Sequence, residues 1–286
     1  HAARHQSPQK PAQYATRTSA GQNDLRWRLL QTAATALPRD NALRPSDTTT
    51  PDTTTRAAAQ GWLNQKYIEL QNDHSVEFDT LFLLDAAGTQ IARAPMSSSI
   101  GKSFAFRDYF HGRGSDLSPE EHNVVQPIRD VNLSATYTSS TSGTLKVAFT
   151  VPIVAGNAVQ QEIIGVLGMS VELGEFGILQ SDLQNGQLVV LVDSRMDSID
   201  AEPRRGLILQ HPSLDQTKAD AEKARIATEA LEQIDSPEEH PLLRNFNDPY
   251  APGVWTACFD RVIVEGRRMP IADTGWIGLV QEQSAE

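Results

Sequence analysis

A chain of 286 residues is long enough for one large domain or two small ones, and its 39% hydrophobic content supports a packed core. A formal net charge of -11 and a pI near 5.1 exclude a nucleic-acid binder, which needs a basic face for phosphates, and a protein that docks on anionic lipid. With Cys258 alone no disulfide closes within the chain; the thiol lies in the apolar run 255–259 and reads as a small buried residue.

Residues 1–13 are polar and proline-containing, the composition of a disordered end. From Tyr14 to Leu37 the pattern predicts a helix, with Leu25, Leu29, Ala33 and Leu37 every four residues, Leu30 and Ala34 widening the stripe, and Pro38 as the stop. After a loop over 39–54, a second helix is predicted over 55–72, with Ala59, Trp62, Leu63, Tyr67 and Leu70 on one face. Strands follow at 78–85 and 90–94, joined by the turn 85–89. A loop at 96–101 leads to a short helix over 103–112, then to irregular chain over 113–130. Three strands are predicted at 133–141, 144–155 and 161–173, with turn signals at Ser142-Gly143 and around Gly156.

The second half repeats that order. A connecting helix over 172–184 precedes strands at 188–193 and 206–209, a charged helix over 213–235 with a solvated acidic face, and strands at 253–259, 262–266 and 274–281. The fold class is α+β: a long N-terminal helix followed by two modules with antiparallel sheets. Trp255 and Trp276 read as core residues. No apolar run approaches eighteen residues, no signal peptide is visible, and a start at His1 rather than Met reads as a segment of a longer protein.

Catalytic and metal signatures are missing from the sequence. It holds no phosphate-binding glycine loop, no His-Glu-x-x-His and no nucleophile elbow, and its seven histidines are not at ligand spacing, so neither enzymatic activity, a cofactor nor a metal is expected. Arg107 is the residue that suits recognition. Its guanidinium can hold a carboxylate bidentately, with Tyr109 and Phe110 as apolar walls and His111 as a further donor; the alternative is an ion pair with Asp108 or another local acid. Tyr137, Ser139 and Ala135 share a strand face that lines a pocket or stands half-exposed.

The order of these pieces carries a resemblance. Arg107-Asp108-Tyr109-Phe110, then Tyr137-Thr138-Ser139, then 147–153 and Gly165-Val166-Leu167-Gly168-Met169 resemble the membrane-distal module of double Cache sensor domains, whose modules are PAS-like, and the similarity extends over 14–284. It implies a helical segment at 14–75, a membrane-distal module at 76–185 and a smaller membrane-proximal module at 186–284. The second half is similar to ectodomains of bacterial membrane-bound serine/threonine kinases. The resemblance implies a periplasmic or extracellular sensor without catalytic activity of its own. It would be flanked by transmembrane helices in the full-length protein, with room for a homodimer through the N-terminal helix. Its partner would be a small-molecule ligand, contacted by Arg107, Tyr109, Phe110, His111, Tyr137, Ser139 and Ser170. Family members that bind amino acids hold the amine with a strand aspartate. This chain has Ser170 there, which implies a carboxylate or another small polar metabolite instead. The competing expectation is a Cache-fold module without a small-molecule ligand, acting in dimerisation or protein interaction.

Overall fold

The computed structural model describes residues 9–39, 43, 53–118, 125–156, 161–177, 186–195, 204–214, 225–235, 242–267 and 272–284. Helix α1 spans Gln9–Arg39 and α2 spans Thr53–Asp73. α1 therefore starts before the predicted Tyr14, because Pro11 stands in its first turn, where a missing N–H costs nothing. Residues 1–8 of the expected disordered end lie outside the described residues. Among the described residues no helix is long and apolar enough to cross a membrane.

The chain divides into two compact units. The first takes in the described residues within 24–172. Strands β1 (Thr80–Asp85), β2 (Gln90–Ala94), β3 (Asn132–Leu133), β4 (Tyr137–Thr138), β5 (Leu145–Gly156) and β6 (Gln161–Glu172) form one antiparallel sheet, in the order β2-β1-β6-β5-β3, with β4 also on β5. β5 and β6 are buried on both sides along most of their length, which is why they read as continuous apolar runs. On one face Phe149 meets Trp27 of α1 edge-on at 5.4 Å, and Trp27 Nε1 donates to the Asn132 carbonyl. The buried stripe of α1 here runs through Trp27, Leu30, Ala34 and Leu37, while Leu25 and Leu29 are only half-buried, so the predicted stripe is rotated by part of a turn. On the opposite face Phe82, Leu84, Ala148 and Val166 meet Phe104, Tyr109 and Phe110.

The edge strand β2 is covered. Gln60 of α2 accepts from the Arg93 N–H and donates to the Arg93 carbonyl, so its amide pairs with the outward-facing backbone of that residue. The β1–β2 turn forms as predicted. Asp85 Oδ1 accepts the N–H groups of Ala87 and Thr89, and Gly88 has φ +82° where a Cβ would fall 2.7 Å from Ala105 Cα.

Two elements differ from expectation in ways that shape the site. The helix predicted over 103–112 is a single turn, α3 (Asp108–His111), and Arg107 precedes it in extended conformation, φ -78° and ψ 140°. The strand predicted over 133–141 is broken, because the Ala135 N–H leaves the ladder to bond Asp108 Oδ2 at 2.6 Å.

The second unit takes in residues 9–23 of α1 and the described residues within 173–195 and 204–284. β7 (Gln187–Asp193), β8 (Ile208–Gln210), β9 (Leu242–Asn247), β10 (Val254–Ile263) and β11 (Asp273–Gln283) take the order β8-β7-β11-β10-β9, the same winding as the first sheet. β10 is one strand where two were predicted, since Asp260 and Arg261 continue the ladder opposite Gly278 and Ile277. β9 was not predicted. Residues 173–177 form turns rather than the expected connecting helix, whose remainder lies outside the described residues. Helix α4 covers only Thr228–Asp235 of the predicted 213–235, and 215–224 are likewise outside the description. Trp255 and fully buried Trp276 pack inside, as does Cys258, whose thiol pKa is pushed up by burial.

Gly168 is where the first sheet has least slack. A Cβ there would lie 2.1 Å from Phe82 Cζ, and the ring it would push aside lines the cleft described next. Gly168→Ala is expected to cost about 1–3 kcal/mol by overpacking, read as a lower urea midpoint.

Candidate functional site

The cleft lies on the face of the first sheet that carries Thr80 and Phe82 of β1, Gln90 and Arg93 of β2, Lys146 of β5 and Ser170 of β6. Cross-strand register brings them together. Ser170 stands opposite Thr80 on one side and Ala148 on the other, Phe82 stands opposite Arg93, and Lys146 stands between Tyr137 and Glu172. The far wall comes from Phe104, Arg107, Tyr109 and the β4–β5 turn with Ser139, Ser140 and Thr141. The cavity is small, about 30 Å³, because side chains bridge it. Tyr137 Oη and Ser170 Oγ are 3.0 Å apart, and Arg93 Nη2 reaches Thr80 Oγ1 at 3.3 Å and Thr141 Oγ1 at 3.4 Å.

Arg107 combines both alternatives read from the sequence. It lines the cleft, and it is also paired with a local acid, Asp116 rather than Asp108, at 2.6 Å. Its Nη2 donates to the Thr138 carbonyl, and the guanidinium carbon lies 4.9 Å from the Phe106 ring centroid and 5.2 Å from that of Tyr137. Nε is buried without a partner. Asp108 serves the backbone instead. Its carboxylate accepts the N–H groups of Gly114 and Ala135, tying the α3 loop to the β3–β4 break.

Tyr109, Tyr137, Ser139 and Ser170 all line the cleft. Burial pushes the Tyr109 and Tyr137 phenol pKa values up, so both stay neutral, and the two rings meet edge-on at 5.1 Å. Ser139 Oγ is 3.1 Å from Thr141 Oγ1 and also accepts the N–H groups of Thr141 and Ser142, so it shapes the turn as well as the wall.

Two expected contacts are not at the cleft. Phe110 is fully buried in the core beside Ile128, because neighbouring residues of a one-turn helix point apart and Tyr109 takes the cleft side. His111 is spent on backbone. Its Nδ1 accepts the Arg113 N–H, which leaves Nε2 to donate to the Phe106 carbonyl at 3.0 Å, and burial lowers its pKa. A neutral ring with both nitrogens engaged is no anion donor.

The residues that sequence reasoning missed are Arg93 and Lys146. Lys146 has a side chain 6% exposed, with Nζ paired to Asp79 and 3.6 Å from Glu172 Oε2. Arg93 pairs with no carboxylate among the described residues; its guanidinium bonds the Pro95 carbonyl and two hydroxyls. A signal was present. Arg93 and Lys146 are charged residues inside apolar strands; Lys146 shares a face with Ala148 by even spacing, while Arg93 shares one with Gln90 only across a β-bulge. The lining thus holds three cations and no carboxylate, with hydroxyls making up much of the rest. A larger groove, about 680 Å³, beside α1 and the ends of β5 and β6 has a mostly apolar or neutral lining and no such convergence of donors. Among the described residues no cluster of His, Cys, Asp and Glu suits a metal ion.

No protein-family model matches the chain, and no curated protein matches it. Solved structures do. The ligand-binding domain of the Pseudomonas aeruginosa amino-acid chemoreceptor PctB with L-Arg is 15% identical, over 96% of this chain and 93% of that one, at a TM-score of 0.55. That of the Pseudomonas fluorescens chemoreceptor CtaA with L-serine is 18% identical, over 96% and 94%, at 0.53. That of the Pseudomonas aeruginosa chemoreceptor PctC with GABA is 15% identical, over 96% and 97%, at 0.53. A long N-terminal helix and two like-wound antiparallel sheets, in the company of these domains, give this chain the double Cache, PAS-like fold.

Proposed function

We propose that this chain is an extracytoplasmic sensor domain of a membrane-anchored signalling receptor, binding a small anion, a carboxylate above all, in the cleft of its first unit. The observation that carries the reading is the lining itself: Arg93, Arg107 and Lys146 with no carboxylate among them. The chemoreceptor domains of the same fold were solved with amino acids or GABA, which supports a small-molecule ligand. An anion entering here replaces the long bonds from Arg93 to Thr80 and Thr141 with charge-assisted ones, and Tyr137, Ser139 and Ser170 supply neutral hydroxyls around it. Binding does work on a receptor only through its preference for one conformation over another. A kinase as the output, flanking transmembrane helices and a homodimer through α1 belong to the same proposal. The domain itself takes no part in catalysis.

The test is a thermal-shift and calorimetry screen of small carboxylates, amino acids and amines on the wild type, Arg93→Ala and Arg107→Ala. A ligand at a hundred times its dissociation constant adds about 2.7 kcal/mol of stability. Arg93→Ala is expected to weaken a carboxylate hit about 10- to 100-fold, the worth of a charge-assisted bond of about 1.5–3 kcal/mol. A hit that neither variant weakens places the site elsewhere. The small cavity favours a second reading, a Cache-fold module without a small-molecule ligand that acts in dimerisation or protein interaction. Silence across the panel, together with self-association in sedimentation, is the result expected for it.

A further inference from the structure

A buried ammonium needs a carboxylate, because an unpaired charge out of water costs several kcal/mol or more. Among the described residues around the cleft, four carboxylates stand close and each is already engaged. Asp116 holds Arg107, and Asp108 holds the N–H groups of Gly114 and Ala135. The remaining two, Asp79 and Glu172, both hold one Nζ, that of Lys146. Neither of them lines the cleft; Lys146 does. Lys146 is buried, is flanked in register by Tyr137 and Glu172, and stands two residues along β5 from the Ala148 that pairs with Ser170. Its ammonium therefore sits between the cleft and the two carboxylates that a ligand's amine would seek. Asp79 keeps one oxygen, Oδ1, buried without a hydrogen-bond partner.

We propose that Lys146 is a tethered stand-in for a ligand ammonium, filling the amine subsite from within, so that the cleft selects amine-free carboxylates and rejects α-amino acids. This rests on the reading of the cleft as a ligand site and assigns its specificity to one residue. Ser170 removes nothing essential in this account, since the carboxylates exist and are occupied. An incoming amine would have to displace a covalently attached competitor, which acts at a high effective concentration. A carboxylate meets no such competitor, because Arg93 offers its donors only to a carbonyl and hydroxyls.

The experiment uses three matched probes, propionate, L-alanine and ethylammonium, in calorimetry and thermal shift. The proteins are the wild type, Lys146→Met and Lys146→Met/Asp79→Asn. Methionine keeps the length of the stem and removes the charge. The wild type is expected to bind propionate and not L-alanine. Lys146→Met is expected to gain ethylammonium and L-alanine binding of at least about tenfold over the wild type, and the double variant to lose that gain. Should Lys146→Met be too unstable alone, a rise in its melting temperature with ethylammonium but not with tetramethylammonium reads the same gain, and the charge-balanced double variant is the folded control. Wild-type binding of propionate with no amine gain in Lys146→Met overturns the role of Lys146 and leaves the cleft as the ligand site. Wild-type binding of L-alanine as tight as that of propionate also overturns it. No probe binding to any of the three proteins overturns both.

Discussion

Asp108→Ala is expected to lower the stability of the first unit by about 2–4 kcal/mol, since two backbone N–H groups lose a charged acceptor and each orphaned donor costs about 1–3 kcal/mol. The residue is 2% exposed, and its two carboxylate oxygens are divided between Gly114 at 2.5 Å and Ala135 at 2.6 Å. Its backbone is used as fully. Its N–H donates to Asp116, its carbonyl accepts from Gly112, and the Asn132 side chain donates to the same carbonyl at 3.3 Å. One side chain thus fixes the loop after α3 and the break between β3 and β4, the two segments that aim Arg107 and Tyr137 at the cleft. Asp108→Asn keeps one acceptor and turns a donor toward the other N–H, so about half the loss is expected. Hydrogen exchange is the suitable readout, because it reports each unit separately. Faster exchange over 104–117 and 132–150 with unchanged protection in β7, β10 and β11 is the expected pattern. Loss of protection in both units would contradict it.

A second large effect is expected at Asp248, in the other unit. Its Oδ1 accepts the N–H groups of Tyr250 and Ala251, its Oδ2 accepts from the Gln281 amide, and His211 Nε2 lies 3.3 Å from that oxygen. His211 Nδ1 accepts the Ser213 N–H at 2.9 Å, so the proton is on the nitrogen that faces Asp248. The His211 and Tyr250 rings stack at 5.0 Å. Asp248→Ala strips partners from all of these groups and is expected to cost about 3–5 kcal/mol, the usual penalty for removing one member of a buried charged network. The pH dependence has a definite sign. Burial alone would raise the Asp248 pKa, but the nearby His211 Nε2–H and the hydrogen bonds from Gln281 and the Tyr250 N–H outweigh it and hold the carboxyl below the usual carboxylate range. The folded pKa being the lower one, this contribution is fully present above the unfolded value of about 4 and is lost as pH falls through the folded pKa. Thermal melts from pH 6 down to pH 3 should therefore drop less steeply for Asp248→Asn than for the wild type. Parallel curves would show that the network carries no such linkage.

The same network occupies, among the described residues, the face of the second sheet that corresponds to the cleft. Asp85 and Asp193 each end the first strand of their sheet and each accept the backbone N–H two residues on, which aligns the two sheets residue by residue. Five residues earlier stand Thr80 and Leu188. Thr80 faces Ser170 and Leu188 faces Gln281. Where the first unit has small hydroxyls around a cavity, the second has a glutamine, an aspartate and a stacked His–Tyr pair joined to one another.

What was legible in the sequence follows interaction range. The β1–β2 hairpin was readable because Asp85 and Gly88 set the turn within five residues, and β5 and β6 were readable because both of their faces are buried. Arg107, Tyr109, Tyr137, Ser139 and Ser170 were placed at the cleft by the order of short motifs. Arg93 and Lys146 were not, since their meeting depends on register across four strands, and a one-residue slip would turn each to the other face. Phe110 and His111 do not line the cleft, and the sequence could not show that the expected helix is a single turn, which directs Phe110 into the core and spends His111 on backbone. β9 escaped because Leu242–Asn247 is half polar and includes Asn245 at φ +54°, a backbone state foreign to a regular strand.

The amide of Gln60 has a consequence for how this molecule keeps company. A sheet edge invites another chain to add itself as a further strand, and the usual safeguards are a charge, a proline or a bulge. Here a helix supplies a side chain that imitates the missing neighbour, giving one donor and one acceptor to Arg93 in place of a foreign backbone. At Arg93 that edge is closed to strand addition, which works against polymerisation through β2 while the Arg93 side chain stays at the cleft.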